Sequence, residues 1–262
     1  MIRSKDYHEY TDYDLEPGGL RKLDYIVERV RKFLKESPTK IKILDVGCGN
    51  GNISLPLAFL GYQVIGLDAY PEAILELNKK NNFDNLEGVN KTFENYYPDS
   101  KFDVIIMSEF LEHTKDPKAV LKKAKRMLLK KDGLLILTVP NGMSLEESIR
   151  RVTGSTAGLR AFKKKVKSRI KDQEVQSSAG SPHLQFWSLF SLRSLILSAG
   201  FKIADIKSAA FLFKETYYIL GRFIMRRGSW LFHWFDKVDS SLAKVTPPIL
   251  ASGWIITTEK HE

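Results

Sequence analysis

The sequence predicts an α/β fold in which a mostly parallel sheet carries helices on both faces. Short apolar runs alternate with helical patterns, the first run opens onto a glycine-rich turn, and the next run ends on an aspartate.

The elements follow in order. Apolar residues recur at Leu20, Leu23, Ile26, Val27, Val30, Phe33 and Leu34, one helical stripe, and residues 1–37 read as an N-terminal helical cap. "SPTK" breaks that helix, and "IKILDV" (41–46) reads as a short buried strand. "NISLPLAFLG" suits a helix ending at Gly61, with Pro56 a local irregularity inside it. Strand "QVIGLD", helix "PEAILELNKK" with Pro71 at its start, and a weaker strand near "LEGVN" come next; "FDVIIM" (102–107) is another buried strand. From Asp116 to Gly133 the punctuation predicts a helix: Asp116 caps it, Pro117 occupies its first turn and Gly133 ends it. Its inner stripe is Val120, Ala124, Met127 and Leu128, and strand "LLILTV" follows.

After Asn141 the rhythm lapses and then returns. "SLRSLILSAGF" is a helix with Leu192, Leu195 and Ile196 inward and Gly200 as its stop. "KIADIK" and "GWIITTEK" are the last two strands. There is no internal repeat, so the chain reads as one α/β domain over 1–262, with insertions at 141–190 and 208–250 that suit a substrate lid.

Composition narrows the function classes. The apolar fraction of 43% and charged fraction of 27% are those of ordinary globular chains. Cys48 is the only cysteine, which excludes an intrachain disulfide and suits a reducing compartment. The N-terminus lacks a signal-peptide core and no apolar run is bilayer-length, so the expectation is a cytoplasmic protein, with peripheral contact at the inner membrane face left open. The net charge of +10 gathers in "RAFKKKVKSRIK" (160–171) and "GRFIMRR" (221–227). Anionic lipid, nucleic acid and an acidic substrate would all suit it, and so would plain solvated helix faces.

In "ILDVGCGNGNIS" (43–54), Gly47, Gly49 and Gly51 occupy alternate positions directly after the first strand. Glycine allows positive φ and removes the Cβ that would block a ligand. The helix start beyond the turn offers free N–H donors. The second strand ends at Asp68, 17 residues beyond Gly51, where a carboxylate can accept both hydroxyls of a ribose. A dehydrogenase fingerprint would be G-x-G-x-x-G; here the third glycine comes one place early, and Asp45 is an acid which that pattern does not require.

Together "LDVGCGNG", "VIGLDAYPEAI", "FDVIIMSEFLEHTKDP" and "LLKKDGLLILTVPNG" resemble the class I S-adenosylmethionine-dependent methyltransferases from about residue 40 to 141. "PHLQFWSLFSLRSLILSAGF" and "GWIITTEK" resemble that family's later segments. The resemblance implies a Rossmann-like three-layer sandwich with a seven-stranded sheet and an antiparallel last strand. It also implies S-adenosylmethionine as cofactor. Gly47, Gly49, Asn50 and Gly51 would lie along its methionine part, with Asp45 near the ammonium. Asp68 would hold the ribose, Ala69 would lie beside the adenine, and Ser108 would border the sulfonium region. The chain departs from the family where an acid commonly accepts from the adenine amino group, and Asn90 or Thr92 takes that place. The tyrosines of "DYHEYTDYDLEPGG" suit a cover over the cofactor.

The fold predicts the donor better than the acceptor. If "SEFLEHTKD" opens a helix, Glu109, Glu112 and His113 share one face. Such a set can bind a divalent cation such as Mg2+, which would lower the pKa of an acceptor hydroxyl, with His183 as a further ligand. Without a metal, His113 serves as general base or positions the substrate. The segment resembles ubiquinone-biosynthesis O-methyltransferases, the nearest group, and also small-RNA 2′-O-methyltransferases. The aromatic, basic stretch in 208–250 suits a membrane interface or a roof over the site. The leading expectation is O-methylation of a small or lipid-linked acceptor. An RNA 2′-O-methyltransferase and a non-catalytic scaffold are the alternatives, and nucleic acid is disfavoured because no RNA-binding module is visible.

Overall fold

The structure is a computed structural model, and it describes residues 5–33, 37–143, 183–211, 217 and 225–260. Two 3₁₀ turns, Asp6–Tyr10 and Tyr13–Leu15, lead into α1 (Gly19–Phe33). Then come β1 (Lys42–Val46), α2 (Ser54–Phe59), β2 (Gln63–Asp68), α3 (Pro71–Lys80), β3 (Leu86–Asn90) and β4 (Phe102–Ser108). The later elements are α4 (Pro117–Lys123), β5 (Leu129–Pro140), α5 (Leu189–Ser198), β6 (Phe201–Ala210), α6 (Trp230–Val245) and β7 (Gly253–Lys260).

The seven strands form one sheet in the order β3-β2-β1-β4-β5-β7-β6. The first five are parallel, and β7 runs antiparallel to both β5 and β6. This is the Rossmann-like sheet with an antiparallel last strand. Side chains of successive strand residues point to opposite faces, so each central strand supplies two cores. Ile43, Val104, Ile106 and Ile136 meet α1, α2 and α3 through Leu23, Ile26, Leu57 and Leu77. Leu44, Ile105, Leu135 and Leu137 meet α4 and α5 through Val120, Leu121, Leu192 and Ile196. Burial on both faces is why these strands read as unbroken apolar runs.

β1 pairs with β2 on one side and with β4 on the other. Strand order therefore reverses at the carboxyl ends of β1 and β4, where open α/β sheets gather their ligands.

One predicted element is corrected. The helix expected over 116–133 stops at Lys123, a π turn covers Ala124–Leu128, and β5 begins at Leu129. Phe102 pairs with Leu129 whereas Val104 pairs with Leu134, so β5 bulges against β4 before regular pairing starts. Strand pairing overrides the helical pattern there. The basic run 160–171, the start of "GRFIMRR" and most of the two predicted insertions lie outside the described residues. β6 continues through Ala210, and the described remainder of the second insertion holds α6.

Candidate active site

β1 ends at Val46, and the chain turns through Gly47–Gly51 into α2. Gly47, Gly49 and Gly51 have φ of 72°, 54° and 92°, a region that side chains rarely adopt. The amides of Gly47 and Cys48 both donate to the Leu67 carbonyl, at 2.8 and 3.2 Å, which fastens the turn to β2. A Cβ on Gly51 would lie 2.3 Å from Leu77 Cδ1, so this glycine lets α3 close on the sheet. A Cβ on Gly47 would lie 2.9 Å from the Phe110 ring, so the first glycine makes room for the wall of the cavity beyond it.

Asp68 ends β2 and is only 5% exposed. Its Oδ2 accepts from the Gly49 amide and its Oδ1 from the Tyr70 amide, both at 2.9 Å. The carboxylate is thus held by the turn, and each oxygen keeps a lone pair for a ligand hydroxyl. It lines a cavity of about 1100 Å³ at the carboxyl edge of the sheet, as do Gly47, Ala69, Thr92, Glu109 and His113. Phe93, Phe110 and Val120 give the same cavity an apolar wall. Thr92 also caps the short turn after it, accepting from the Asn95 amide at 3.3 Å.

The other residues singled out from the sequence are absent from that wall. Gly49 and Gly51 belong to the turn beneath it. Asp45 is buried under the turn and accepts from Ser54 Oγ at 2.7 Å. Burial, with the neighbouring Asp68 charge, raises its carboxyl to about 7, against the opposing pull of Ser54 and Lys22. The Asn50 amide donates to Asp12 Oδ2 at 3.1 Å, tying the turn to the N-terminal cap. The Asn90 amide donates to the Asp68 carbonyl at 3.0 Å. Ser108 Oγ shares a 2.9 Å hydrogen bond with Thr138 Oγ1.

The turn after β4 is built differently. Glu109 has φ of 51°, the only positive value among described non-glycine residues. Its amide donates to the Thr138 carbonyl at 2.9 Å, and Thr138 Oγ1 donates to Glu109 Oε1 at 3.3 Å. A left-handed glutamate is a strained choice that persists only where neighbours over-determine it. That backbone keeps Glu109 from opening an α-helix, and a single 3₁₀ turn covers Leu111–His113. The expected shared face of Glu109, Glu112 and His113 is therefore not formed. Glu109 and His113 line the cavity, whereas Glu112 is fully buried.

A different trio comes together instead. Ligand atoms of Glu112, His113 and His183 lie within 4.8 Å of one another, and the two imidazole centroids are 4.9 Å apart. His183 is delivered by main-chain bonds: the amides of Leu184 and Gln185 both donate to the Glu112 carbonyl, at 2.8 and 3.0 Å. Gly142 allows this segment to approach, because a Cβ there would lie 2.6 Å from the Trp187 nitrogen. One carboxylate with two imidazoles is a donor set suited to a divalent transition metal such as Zn2+ or Mn2+.

Sequence reasoning missed Lys22 and Thr138. Lys22 is buried in the first turns of α1, its ammonium 4.5 Å from the centre of the Tyr13 ring. Burial by itself would lower its pKa, but Tyr13, Glu109 and Glu16 together hold it above the ordinary 10.5. A lysine beside an apolar stripe carries no sequence signal that it turns inward; the partners that retain it come from two separate segments, the stretch with Tyr13 and Glu16, and Glu109.

The fold and the site define a class: a Rossmann-like protein with a ribose-type acid at the end of β2 and a large cavity at the switch point. Residues 20–206 match the family described as "Methyltransferase domain", and the chain belongs to that family. The family implies S-adenosylmethionine as methyl donor. The chain is 32% identical over 152 residues to a ubiquinone biosynthesis O-methyltransferase of Rickettsia akari (strain Hartford), covering 55% of this chain and 56% of that one. It is 36% identical over 129 residues to the protein of the same name from Cereibacter sphaeroides (strain ATCC 17025 / ATH 2.4.3), covering 46% and 52%. The chain thus spans about half the length of the curated relatives it matches. A magnesium protoporphyrin IX methyltransferase from Synechocystis PCC 6803, solved with bound SAH, shares the fold with a TM-score of 0.54 and 16% identity over 94% of this chain and 85% of that one.

Proposed function

We propose that the protein transfers a methyl group from S-adenosylmethionine to an oxygen of a small or lipid-linked acceptor. The observation that carries the donor is the Asp68 carboxylate, clasped by the Gly49 amide of the glycine turn and facing the cavity. S-adenosylmethionine supplies an electrophilic methyl on a sulfonium. The residues of this chain bind, orient and exclude water. Asp68 accepts the ribose hydroxyls, Ala69 and Thr92 flank the base, and Gly47 leaves the backbone open to the methionine part. Lys22, a buried cation against Glu109, is the group we assign to the donor's carboxylate. Asp45, Gly49, Asn50, Gly51, Asn90 and Ser108 shape these positions from behind.

On the acceptor side, His113 faces the cavity and, without a cation bound, is the candidate base for an acceptor hydroxyl. Glu112, His113 and His183 would hold a divalent cation, whose chemistry is to lower the pKa of such a hydroxyl. The relatives named for ubiquinone biosynthesis support an oxygen acceptor of lipid-linked type.

Calorimetry tests the donor. S-adenosylmethionine should bind and NAD should not, and Asp68→Ala should weaken binding at least about 30-fold, the loss of charge-assisted hydrogen bonds. Binding of NAD instead, or an unchanged affinity in Asp68→Ala, would sink this reading.

A further inference from the structure

We infer that α6 is a membrane-docking helix that lays its outer face on an anionic lipid bilayer. The inference stands apart from methyl transfer, because neither the donor cavity nor the acceptor enters it.

Along α6, Trp230, Trp234, Val238 and Leu242 recur every fourth residue, and Val245 continues the stripe. All are exposed: Trp230 is 79%, Trp234 54% and Val245 80% accessible. Ile249 and Leu250, in the turn that follows, extend the same apolar surface. Two exposed indoles in a row of aliphatic side chains far exceed the scattered apolar residues of an ordinary surface.

This face is held outward and does not await burial against the body. Phe232, Asp239 and Ala243 form the buried side of the helix. The Gly18 amide donates to Asp236 Oδ1 at 2.6 Å, and the Phe211 amide donates to Asp239 Oδ2 at 2.9 Å. Arg21 donates to the Ser240 carbonyl, and Ser208 Oγ donates to the Thr246 carbonyl at 3.0 Å. The middle and the C-terminal end of α6 are thereby fastened to the sheet edge and to the start of α1.

Charge selects the occupant. Asp236 and Asp239 are the only acids of α6, and both are turned to the protein by those bonds. Lys237 and Lys244 are exposed along one edge of the apolar stripe, and Arg226 and Arg227 are exposed just before the helix. Along the described helix the outward surface therefore offers apolar area bordered by exposed cations, the pattern of a helix lying in an anionic interface. A second copy of this chain would bring cation against cation across a two-fold contact.

The test is sedimentation of the full chain with vesicles of phosphatidylcholine, with and without phosphatidylglycerol. The protein should bind the anionic vesicles at least about tenfold more tightly than the neutral ones, with a blue shift of tryptophan emission. The double variant Trp230→Ser, Trp234→Ser should lose about tenfold or more of that binding, and Lys237→Glu, Lys244→Glu should lose it on anionic vesicles. Unchanged S-adenosylmethionine affinity and circular dichroism in both variants would show that each is folded. Failure of the unmodified chain to bind anionic vesicles, or equal binding by the tryptophan variant, overturns the inference. So does a lipid-free dimer that the tryptophan variant dissociates, which would assign the face to a second copy.

Discussion

The turns after β1 and after β4 face the same cavity but are built in opposite ways. The first uses three glycines at positive φ and fastens its main chain to the end of β2, with one side-chain bond from Asn50 to Asp12 of the N-terminal cap. The second forces a glutamate into the same backbone region and relies on Thr138 from β5 and on the segment that carries His183. A local solution leaves its trace in consecutive residues, whereas a distributed one leaves it in residues far apart along the chain. The turn after β1 is therefore written compactly, and the turn after β4 is assembled.

Breaking the first turn should have the largest effect. In Gly51→Ala the new Cβ combines a disfavoured φ with a collision against Leu77, which should destabilise the protein by about 3 kcal/mol. Thermal unfolding would measure this, and a change of under about 1 kcal/mol would show that α3 can give way. Breaking the second turn should spare the fold and strike the cation. Titration with Mn2+ or Zn2+ should show one site, weakened about tenfold or more in His183→Ala and in Glu112→Gln. Equal metal affinity in the variants, or none in the unmodified chain, would assign the trio to shaping the loop.

The smallest effect sharpens what lies beneath the donor turn. Burial raises Asp45 from 3.8 to about 7. The folded protein then keeps a proton there that the unfolded chain has released, so this group makes stability fall as pH rises from about 4 to about 7. Asparagine can still accept from Ser54 and carries no such cost. Asp45→Asn should therefore be more stable than the unmodified chain at pH 8, with the gain vanishing toward pH 4. Denaturant melts at the two pH values check this, and a loss at pH 8 would show that the ionised carboxylate is stabilised where it lies.

Much was legible in advance. The alternation of runs gave the sheet, "LDVGCGNG" and Asp68 gave the turn and the acid at the cavity edge, and "GWIITTEK" gave the last strand. The register of "FDVIIM" against β5 was not legible, because a bulge depends on which strand competes for the backbone; the helix over 116–133 consequently stopped early. The common face of Glu109, Glu112 and His113 was also misread, because the left-handed backbone of Glu109 is imposed by Thr138, a residue 29 positions away.

The sequence by itself determined the sheet, the glycine turn and the acid at the end of β2, since periodicity, φ preference and spacing are properties of neighbouring residues. Tertiary structure alone decided that Glu109 stands apart from Glu112, His113 and His183, that Lys22 turns inward, and that α6 shows its tryptophans outward. Each of these depends on partners from distant segments, and only the closed sheet brings those segments into contact.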